Sequence, residues 1–320
     1  MEPNQVSLSN KQTSKKTWQR IKSNGELYLL LLPAFVLVLL FAYKPMYGVL
    51  LAFKDYRNGA IMSAPWTDPL FKHFIRFFNS PNFTNTLKNT LGISFYSLVA
   101  GFPFPIIVAL GLNQMRSAKF KRVFQTVSYL PHFISTVVMV ALILIWLNPD
   151  TGLWGNLYRL IKGSGVKVLN PMGSPRLFSS IYVWSDIWQH NGWNSIIFFA
   201  ALAGIDPSLY EAATVDGASR MQKILYIDLP MILPTACILL ILNAGGIMNL
   251  GFEKAFLMQN NLNLSASEVI STYIYKIGLT GLYPQFSYST AINLFNTAVN
   301  LVLLILVNQV SKRLSSNSLW

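Results

Sequence analysis

The sequence has little cysteine and little charge, and both shortages limit what the chain can be. Its single cysteine, Cys237, lies in an apolar stretch, so no internal disulfide can form. Charged residues make up only 12% of the 320 residues, whereas hydrophobic residues make up 52%. The mean hydropathy is +0.41. This composition excludes an ordinary soluble domain, which needs a charged surface, and is typical of a membrane protein.

The motifs of catalysis and of metal binding are also missing. The three histidines, His73, His132 and His190, are remote from one another in sequence and do not make a metal-ligand set. No G-x-x-x-x-G-K-[ST] motif for nucleotide phosphates is present, and no Ser-His-Asp set or carboxylate pair can be argued. We therefore predict no catalytic residue, no metal site and no cofactor bound by this chain. Energy for any active process has to come from a partner.

Six apolar runs, each near the roughly 20 residues that cross a bilayer, predict an all-α polytopic membrane protein. Residues 1–26 and 312–320 are predicted to be polar tails, and residues 27–311 a transmembrane domain. The first run ends in FAYKPMYG, which has no small-x-small cleavage site, so it is predicted to be an uncleaved anchor instead of a signal peptide. The predicted spans are 27–43, 86–113, 122–147, 180–204, 230–252 and 286–311.

The distribution of charge predicts an orientation. The net charge is +13, but the basic residues are scattered at the ends of apolar runs, which favours lipid headgroups over nucleic acid as their partner. If the N-terminus lies inside, the predicted cytoplasmic segments are together shorter than the outer segments, yet they carry about half of the Lys and Arg residues. The densest group of basic residues is RSAKFKR at 116–122. This predicts a multi-pass cell-membrane protein with both termini in the cytoplasm, together with the loop at 205–229.

That loop contains the longest polar segment between two strongly apolar ones, EAATVDGASRMQKILYIDLP at 211–230. Asp206 is a good helix N-cap, and Pro207 suits the first helical turn. Gly217 permits a helix to stop and turn. We predict a short helix, a bend at Gly217 and a second short helix at about 219–228 that runs into Pro230. Taken alone, such a loop is as often a plain solvated connection.

Polar residues also occur inside the predicted spans, where they are expensive. The fourth span carries several polar groups among tryptophans: Asp186, Trp188, His190, Asn191, Trp193 and Asn194. Aromatic rings beside polar groups can hold sugars, by stacking on their apolar faces and bonding to their hydroxyls. The alternative is that Asp186 sits at the headgroups and the tryptophans belong to the interfacial aromatic belt.

Amides recur in the last two predicted spans. Asn293, Asn296 and Asn300 are three, four and seven residues apart, which places them on one helical face. Asn243 in the fifth span is a further candidate. These residues are predicted either to line a solute pathway or to pack helices and subunits together, since amides serve both purposes in lipid.

The loop at 211–230 resembles the EAA motif of permease subunits of ABC importers. The residues that carry this resemblance are Glu211, Ala212, Ala213, Asp216, Gly217, Ala218 and Pro230. Ile224 replaces an aromatic residue common in the motif. The resemblance implies a coupling helix that docks on a cytoplasmic ATPase, with these seven residues as the coupling set.

The resemblance extends over most of the chain from about residue 27. PMYGVLLAFKDY, YLPHFIST, GWNSIIFFAALAG, GFEKAFLM and YSTAINLFNTAVN look like the complex-carbohydrate branch of the maltose-type permeases. This implies a type I ABC importer permease fold and a heterodimer with a second permease. It also implies two ATPase subunits that carry ATP and Mg²⁺, and an extracytoplasmic binding protein that delivers an oligosaccharide. The excess of basic over acidic residues in the outer segments would suit an acidic oligosaccharide, and lipid contact explains it equally.

Two other functions compete. A permease of the same superfamily could carry a polyol, phosphate or amino acid; the tryptophan-rich fourth span favours a sugar instead. From a different class, a membrane enzyme using Asp186 and His190, or an ion-coupled secondary transporter, would act without an ATPase partner.

Overall fold

The computed structural model describes residues 23–57, 59–163 and 165–314. The predicted tails, 1–26 and 312–320, lie largely outside these residues. The described chain is almost entirely helical, and its one pairing of extended backbone is a bridge between Lys54 and Trp66. The helices are α1 (Gly25–Phe53), α2 (Lys72–Phe78), α3 (Pro81–Gly101), α4 (Pro103–Asn113), α5 (Ala118–Tyr129), α6 (Thr136–Trp146), α7 (Leu153–Lys162), α8 (Pro175–Ala203), α9 (Pro207–Val215), α10 (Arg220–Gly245), α11 (Phe252–Met258), α12 (Leu264–Ser267), α13 (Ile270–Tyr275) and α14 (Phe286–Leu314).

Within the described residues, four helical runs are long and apolar enough to cross a membrane. The number becomes six if each of two bent pairs of helices is counted as one span. The four are α1, the run of α3 and α4 at Pro81–Asn113, α10, and α14 over Phe286–Gln309. The all-α prediction is therefore confirmed, and six spans are reached only with the bent pairs.

The third predicted span, 122–147, consists of two helices that meet at a sharp bend. Its N-terminal part, Ala118–Phe133, meets α6 at an angle of 97°. Pro131 lies in a turn of 3₁₀ helix that closes the first part, and the Ser135 hydroxyl accepts a hydrogen bond from the Val138 amide (3.4 Å) to start the second. A proline followed by a serine N-cap is a stop signal and a start signal in succession, which accounts for the bend.

Two predicted boundaries in the second half of the chain are wrong. The short helix predicted at 219–228 does not end at Pro230, because it continues into α10 as one run of 26 residues. A π-helical turn, Ile224–Asp228, ends two positions before Pro230 and interrupts the ordinary helical hydrogen bonding there, so the proline is tolerated. The fifth span was predicted to reach residue 252, yet α10 stops at Gly245 and residues 246–251 are not helical.

The helices pack through three apolar clusters. One joins α3, α6, α8 and α11 around Ile93, Met139 and Phe178. A second joins α4, α8 and α10 around Leu110, Phe198 and Ile232. The third joins α2, α13 and α14 around Phe77, Ile270 and Ile292. Two cavities lined partly by polar side chains lie between these clusters.

Close backbone contact holds the bent span against α8. A Cβ atom added to Gly192 of α8 would lie 2.0 Å from the carbonyl oxygen of Ser128, so this position requires glycine. Nearby, the Gln189 side-chain amide donates to the Ile134 carbonyl (2.7 Å), which is free because the helix breaks there. The contacts at Gly192 and Gln189 therefore hold the bent span against α8.

Candidate functional site

The helix–turn–helix at 205–229 has the local geometry predicted from the sequence. Asp206 caps α9 by accepting a hydrogen bond from the Ser208 amide (2.9 Å), and this bond, with that from the Ser208 side chain, holds the pKa of Asp206 below its usual range. At the other end, Gly217 has φ +76°, a left-handed conformation that favours glycine. The Ala218 amide donates to the Ala213 carbonyl (2.8 Å) and the Gly217 amide to that of Thr214 (3.1 Å). This pair of bonds is a Schellman motif.

The next helix starts at once. The Ser219 hydroxyl accepts from the Gln222 amide, while the Gln222 side chain accepts from the Ser219 amide (2.7 Å), which forms a capping box. α9 has no fully buried residue, and Glu211, Ala212, Asp216 and Gly217 are exposed. Ala213 and Ala218 are half-buried within the turn, and Pro230 is exposed on α10. The loop therefore presents a rigid surface of small residues with two carboxylates, Glu211 and Asp216.

A cavity of about 930 Å³ lies between α3, α4, α8 and α10. Six residues of the predicted pathway set line it: Asp186, His190, Asn191, Trp193, Asn194 and Asn243. The side-chain oxygen of Asn191 is buried and receives no hydrogen bond from the described residues. The Trp193 ring stacks on His132 with 4.5 Å between ring centroids. The cavity wall thus combines side-chain amides with an aromatic ring, that of Trp193, which is fixed by stacking on His132.

Trp188 does not line this cavity, so the structure does not bring it together with the other predicted pathway residues of α8, and its place in the pathway stays a prediction. It is 49% exposed on α8. On a helix, a residue two positions after Asp186 lies about 200° round the axis, whereas His190 and Trp193 return to the Asp186 side. Trp188 therefore faces away from the cavity, where a partner or lipid would cover it.

The carboxylate of Asp186 is paired, and its main partner was missed by the sequence analysis. Lys254, on the short helix α11, places its ammonium 3.1 Å from Asp186 Oδ1 and donates to the Tyr182 carbonyl (3.0 Å). The Lys254 side chain is 6% exposed. His190 Nδ1 lies 3.4 Å from the same Asp186 oxygen. The pair places opposite charges side by side in the cavity wall, where a lone carboxylate would be costly.

The predicted asparagines of α14 divide between two roles. Asn293 and Asn296 line a second cavity of about 600 Å³, which shares Asn249 and Gly251 with the first. Asn300 lines neither cavity. Its side-chain oxygen accepts from the Met248 amide (2.9 Å), and its amide group donates to Asn249 Oδ1 (3.0 Å). Asn300 thus supports the non-helical segment 246–251 that separates the two cavities.

A buried polar cluster beside the loop was also missed. Asp228, in the π-helical turn, is fully buried and accepts from Gln114 Nε2 (2.8 Å), from Asn113 Nδ2 (3.3 Å) and from the Tyr210 hydroxyl. Burial and the hydrogen bond to Asp228 raise the pKa of Tyr210 to about 12, so its phenol stays protonated and donates. The sequence signal was a carboxylate one turn before the apolar run of α10. No group of three or more His, Cys, Asp or Glu suited to a metal ion occurs in the described part of the chain.

Spanning helices around a polar cavity, with a rigid exposed turn at one end, define the class of this protein as a membrane transport permease. The family model for the inner membrane component of binding-protein-dependent transport systems matches residues 101–316, and the chain belongs to that family. It is a permease subunit of a sugar ABC importer with the type I importer permease fold.

Similarity to individual proteins covers nearly the whole chain. The polygalacturonan/rhamnogalacturonan transport system permease protein YteP of Bacillus subtilis is 39% identical over 97% of this chain and 95% of its own. Protein LplB of the same organism is 39% identical over 94% of this chain and 92% of its own. A chain in the crystal structure of a bacterial alginate ABC transporter, in complex with an alginate pentasaccharide-bound periplasmic protein, is 39% identical. It matches with a TM-score of 0.84 over 94% of this chain and 99% of that one.

Proposed function

We propose that this chain imports an acidic oligosaccharide, with the motion supplied by two cytoplasmic ATPase subunits that dock on α9 and the turn at Gly217. ATP and Mg²⁺ belong to those subunits. An extracytoplasmic binding protein delivers the sugar, and a second, related permease completes the pathway. Both termini and the loop lie in the cytoplasm. The main support for this proposal is that this member of the family has both a rigid exposed loop and a polar cavity.

The loop supports the coupling role through its shape and charge. Ala212 is small and exposed, so another surface can approach its backbone closely, and the neighbouring Glu211 offers a carboxylate to a basic residue. Local bonds close the turn on both sides of Gly217, so a push on α9 moves the turn as a unit. The coupling set proposed is that of the EAA motif, with Pro230 just beyond the turn.

The cavity supports a sugar as the cargo. Amides, His190 and the Trp193 ring give both hydrogen-bonding groups and an apolar surface. Names of the relatives point to polymers of uronic acids, in YteP and in the alginate transporter. Lys254 balances Asp186, so the cavity wall does not present an unpaired carboxylate to an acidic sugar.

The first helix supports a heterodimer. α1 has no buried residue in its most apolar window, although the helix is 29 residues long. A second permease and lipid together would cover such a helix, because this bundle covers none of that window. In the described structure Asp186 pairs with both His190 and Lys254, which favours a lining role over that of an enzyme centre.

Uptake into proteoliposomes tests the function. The permease would be reconstituted with its second permease and ATPase, the binding protein added outside, and a labelled short oligogalacturonate used as the probe beside a neutral arabino-oligosaccharide. We expect uptake of the acidic probe that needs both ATP and the binding protein. Uptake driven by an ion gradient without the ATPase would instead indicate a secondary transporter.

Reversal of one charge tests the coupling role within that system. We expect Glu211→Lys to abolish ATP-dependent uptake while the protein remains in the membrane, because the carboxylate would meet its basic partner with the wrong sign. Asp150→Lys is the matched control, since Asp150 is an exposed carboxylate (86%) outside the loop whose ion contact with Arg159 is long, at 3.9 Å. Normal uptake by Glu211→Lys would remove Glu211 from the coupling set.

A further inference from the structure

The buried carboxylate of Asp228 joins three helices. Its oxygens accept hydrogen bonds from Asn113 and Gln114 at the end of α4, and from Tyr210 of α9, while Asp228 itself belongs to α10. Asn113 Nδ2 also lies 3.3 Å from the Tyr210 hydroxyl, so the group is closed on itself. No Lys, Arg or His of the described chain forms a salt bridge with Asp228, and neutral donors alone satisfy it.

Such an arrangement is costly for stability alone. A buried carboxylate without a cation loses its hydration, and neutral hydrogen bonds return only part of that free energy. An apolar residue at this position, among Leu110, Ile227 and Leu229, would pack without that cost. The cluster therefore fixes the relative orientation of three helices, which apolar packing alone would not do.

The attachment of α9 to the bundle depends on this cluster. α9 has no fully buried residue, and Tyr210 is the residue of α9 that packs against the apolar cluster of α4, α8 and α10. Tyr210 directly precedes Glu211, so the residue that attaches α9 to the bundle is next in sequence to the proposed docking surface. A load applied to Glu211 and Ala212 is passed inward through the phenol of Tyr210.

The two helices that receive this load both reach the large cavity. The run of α3 and α4 ends at Asn113 and contributes Gly101, Phe102 and Pro105 to the cavity wall. α10 begins beside Asp228 and contributes Leu239 and Asn243 further along. A displacement of α9 that keeps the cluster intact therefore moves two walls of the cavity together.

We propose that Asp228 is a positioning residue that passes the movement of α9 to α4 and α10, and so links nucleotide-driven motion to the shape of the cavity. This inference rests on the proposed coupling role of α9. Asp228 does not touch the solute or the ATPase; it acts through Tyr210 on one side and through Asn113 and Gln114 on the other.

Stimulation of the ATPase tests this role. The assembled transporter in nanodiscs would be assayed with and without the binding protein loaded with oligogalacturonate. For Asp228→Leu and for Tyr210→Phe we expect basal ATPase within about twofold of wild type, but stimulation reduced at least about fivefold, the lower end of typical coupling between sites. The double variant should lose no more than the worse single one, because both remove the same link.

A conservative variant separates hydrogen bonding from charge. Asp228→Asn should keep most of the stimulation, because Gln114 can turn its amide to accept from the new side chain while Tyr210 still donates to its oxygen. Asp150→Asn is the control for loss of an exposed carboxylate. Unchanged stimulation in Asp228→Leu and Tyr210→Phe would overturn the proposal. So would equal losses of basal and stimulated activity, which indicate an assembly defect.

A second measurement needs neither ATPase nor solute. Spin labels on Val215→Cys and Arg116→Cys, in a Cys237→Ser background of the full chain in lipid, report the distance between α9 and the end of α4. We expect a single narrow distribution that Tyr210→Phe broadens. An unchanged distribution would overturn the inference. A wild-type transporter without binding-protein-stimulated ATPase, but with the broadening, would instead count against the proposed function and leave the attachment of α9 established.

Discussion

The loop and the cavity are held together in opposite ways. Around Gly217 the hydrogen bonds that shape the turn join residues three to five positions apart, as in Ala218 to Ala213 and Ser219 to Gln222. Around the cavity the bonds join distant parts of the chain: Lys254 and Asp186 are 68 residues apart, and Tyr182 and Gly251 are 69 apart. The loop is therefore a module that keeps its shape when it moves, while the cavity changes shape whenever its helices move.

Loss of the turn should have the largest effect. Gly217→Pro requires φ near −65° where the chain has +76°, and it removes the amide that donates to Thr214. We expect ATP-dependent uptake to fall at least about 100-fold while membrane insertion is retained, which corresponds to a cost of about 3 kcal/mol in the coupled state.

The matched control is Gly217→Asn, because asparagine tolerates the left-handed conformation better than other side chains. Its uptake should fall only a few-fold. If the proline variant transported normally, the turn would not be a rigid module, and the contrast with the cavity would be lost.

The ion pair in the cavity should give an intermediate effect on stability. Asp186→Asn leaves the buried ammonium of Lys254 without its counter-charge. We expect the free energy of unfolding to fall by about 2 kcal/mol, less than for a fully buried pair because Asp186 is 45% exposed. Thermal unfolding of the purified protein in nanodiscs measures this change.

A second substitution sharpens the result. Adding Lys254→Met to Asp186→Asn removes the unpaired charge and should restore most of the stability. Asp150→Asn, which removes an exposed carboxylate, should change little. A double variant no more stable than the single one would show that Asp186 and Lys254 do not act as a pair.

The same contrast explains which features the sequence could predict. Asp206, Pro207 and Gly217 act on their immediate neighbours, so local rules predicted the cap and the bend correctly. The end of the second loop helix was wrong, since the π-helical turn before Pro230 lets α10 run through. The 97° bend at residues 134–135 also carries a local signal, Pro131 followed by the N-cap Ser135, although its angle depends on packing against α8.

The partners of buried charges could not be predicted in this way. Lys254 follows the fifth predicted span, and nothing near it in sequence indicates Asp186, 68 residues away, as its partner. Asp228 is 18 residues from Tyr210, 115 from Asn113 and 114 from Gln114, the three groups that bond to it in space. Contacts of this kind depend on how helices pack, so a single sequence gives the charge without its partner.

The smallest of these effects should come from two tryptophans of one helix, and it tests whether the cavity is the pathway. Trp193 lines the cavity and Trp188 faces away, although their exposures are close, at 42% and 49%. If sugar rings stack on the cavity wall, Trp193→Ala should raise the apparent KM for uptake of oligogalacturonate about tenfold, near the value of one aromatic stacking contact. Trp188→Ala should change it less than about twofold, because its ring loses contact only with lipid or a partner subunit. Equal effects from the two would place the solute elsewhere, since two similar rings on opposite faces of α8 cannot both meet a ligand inside the bundle.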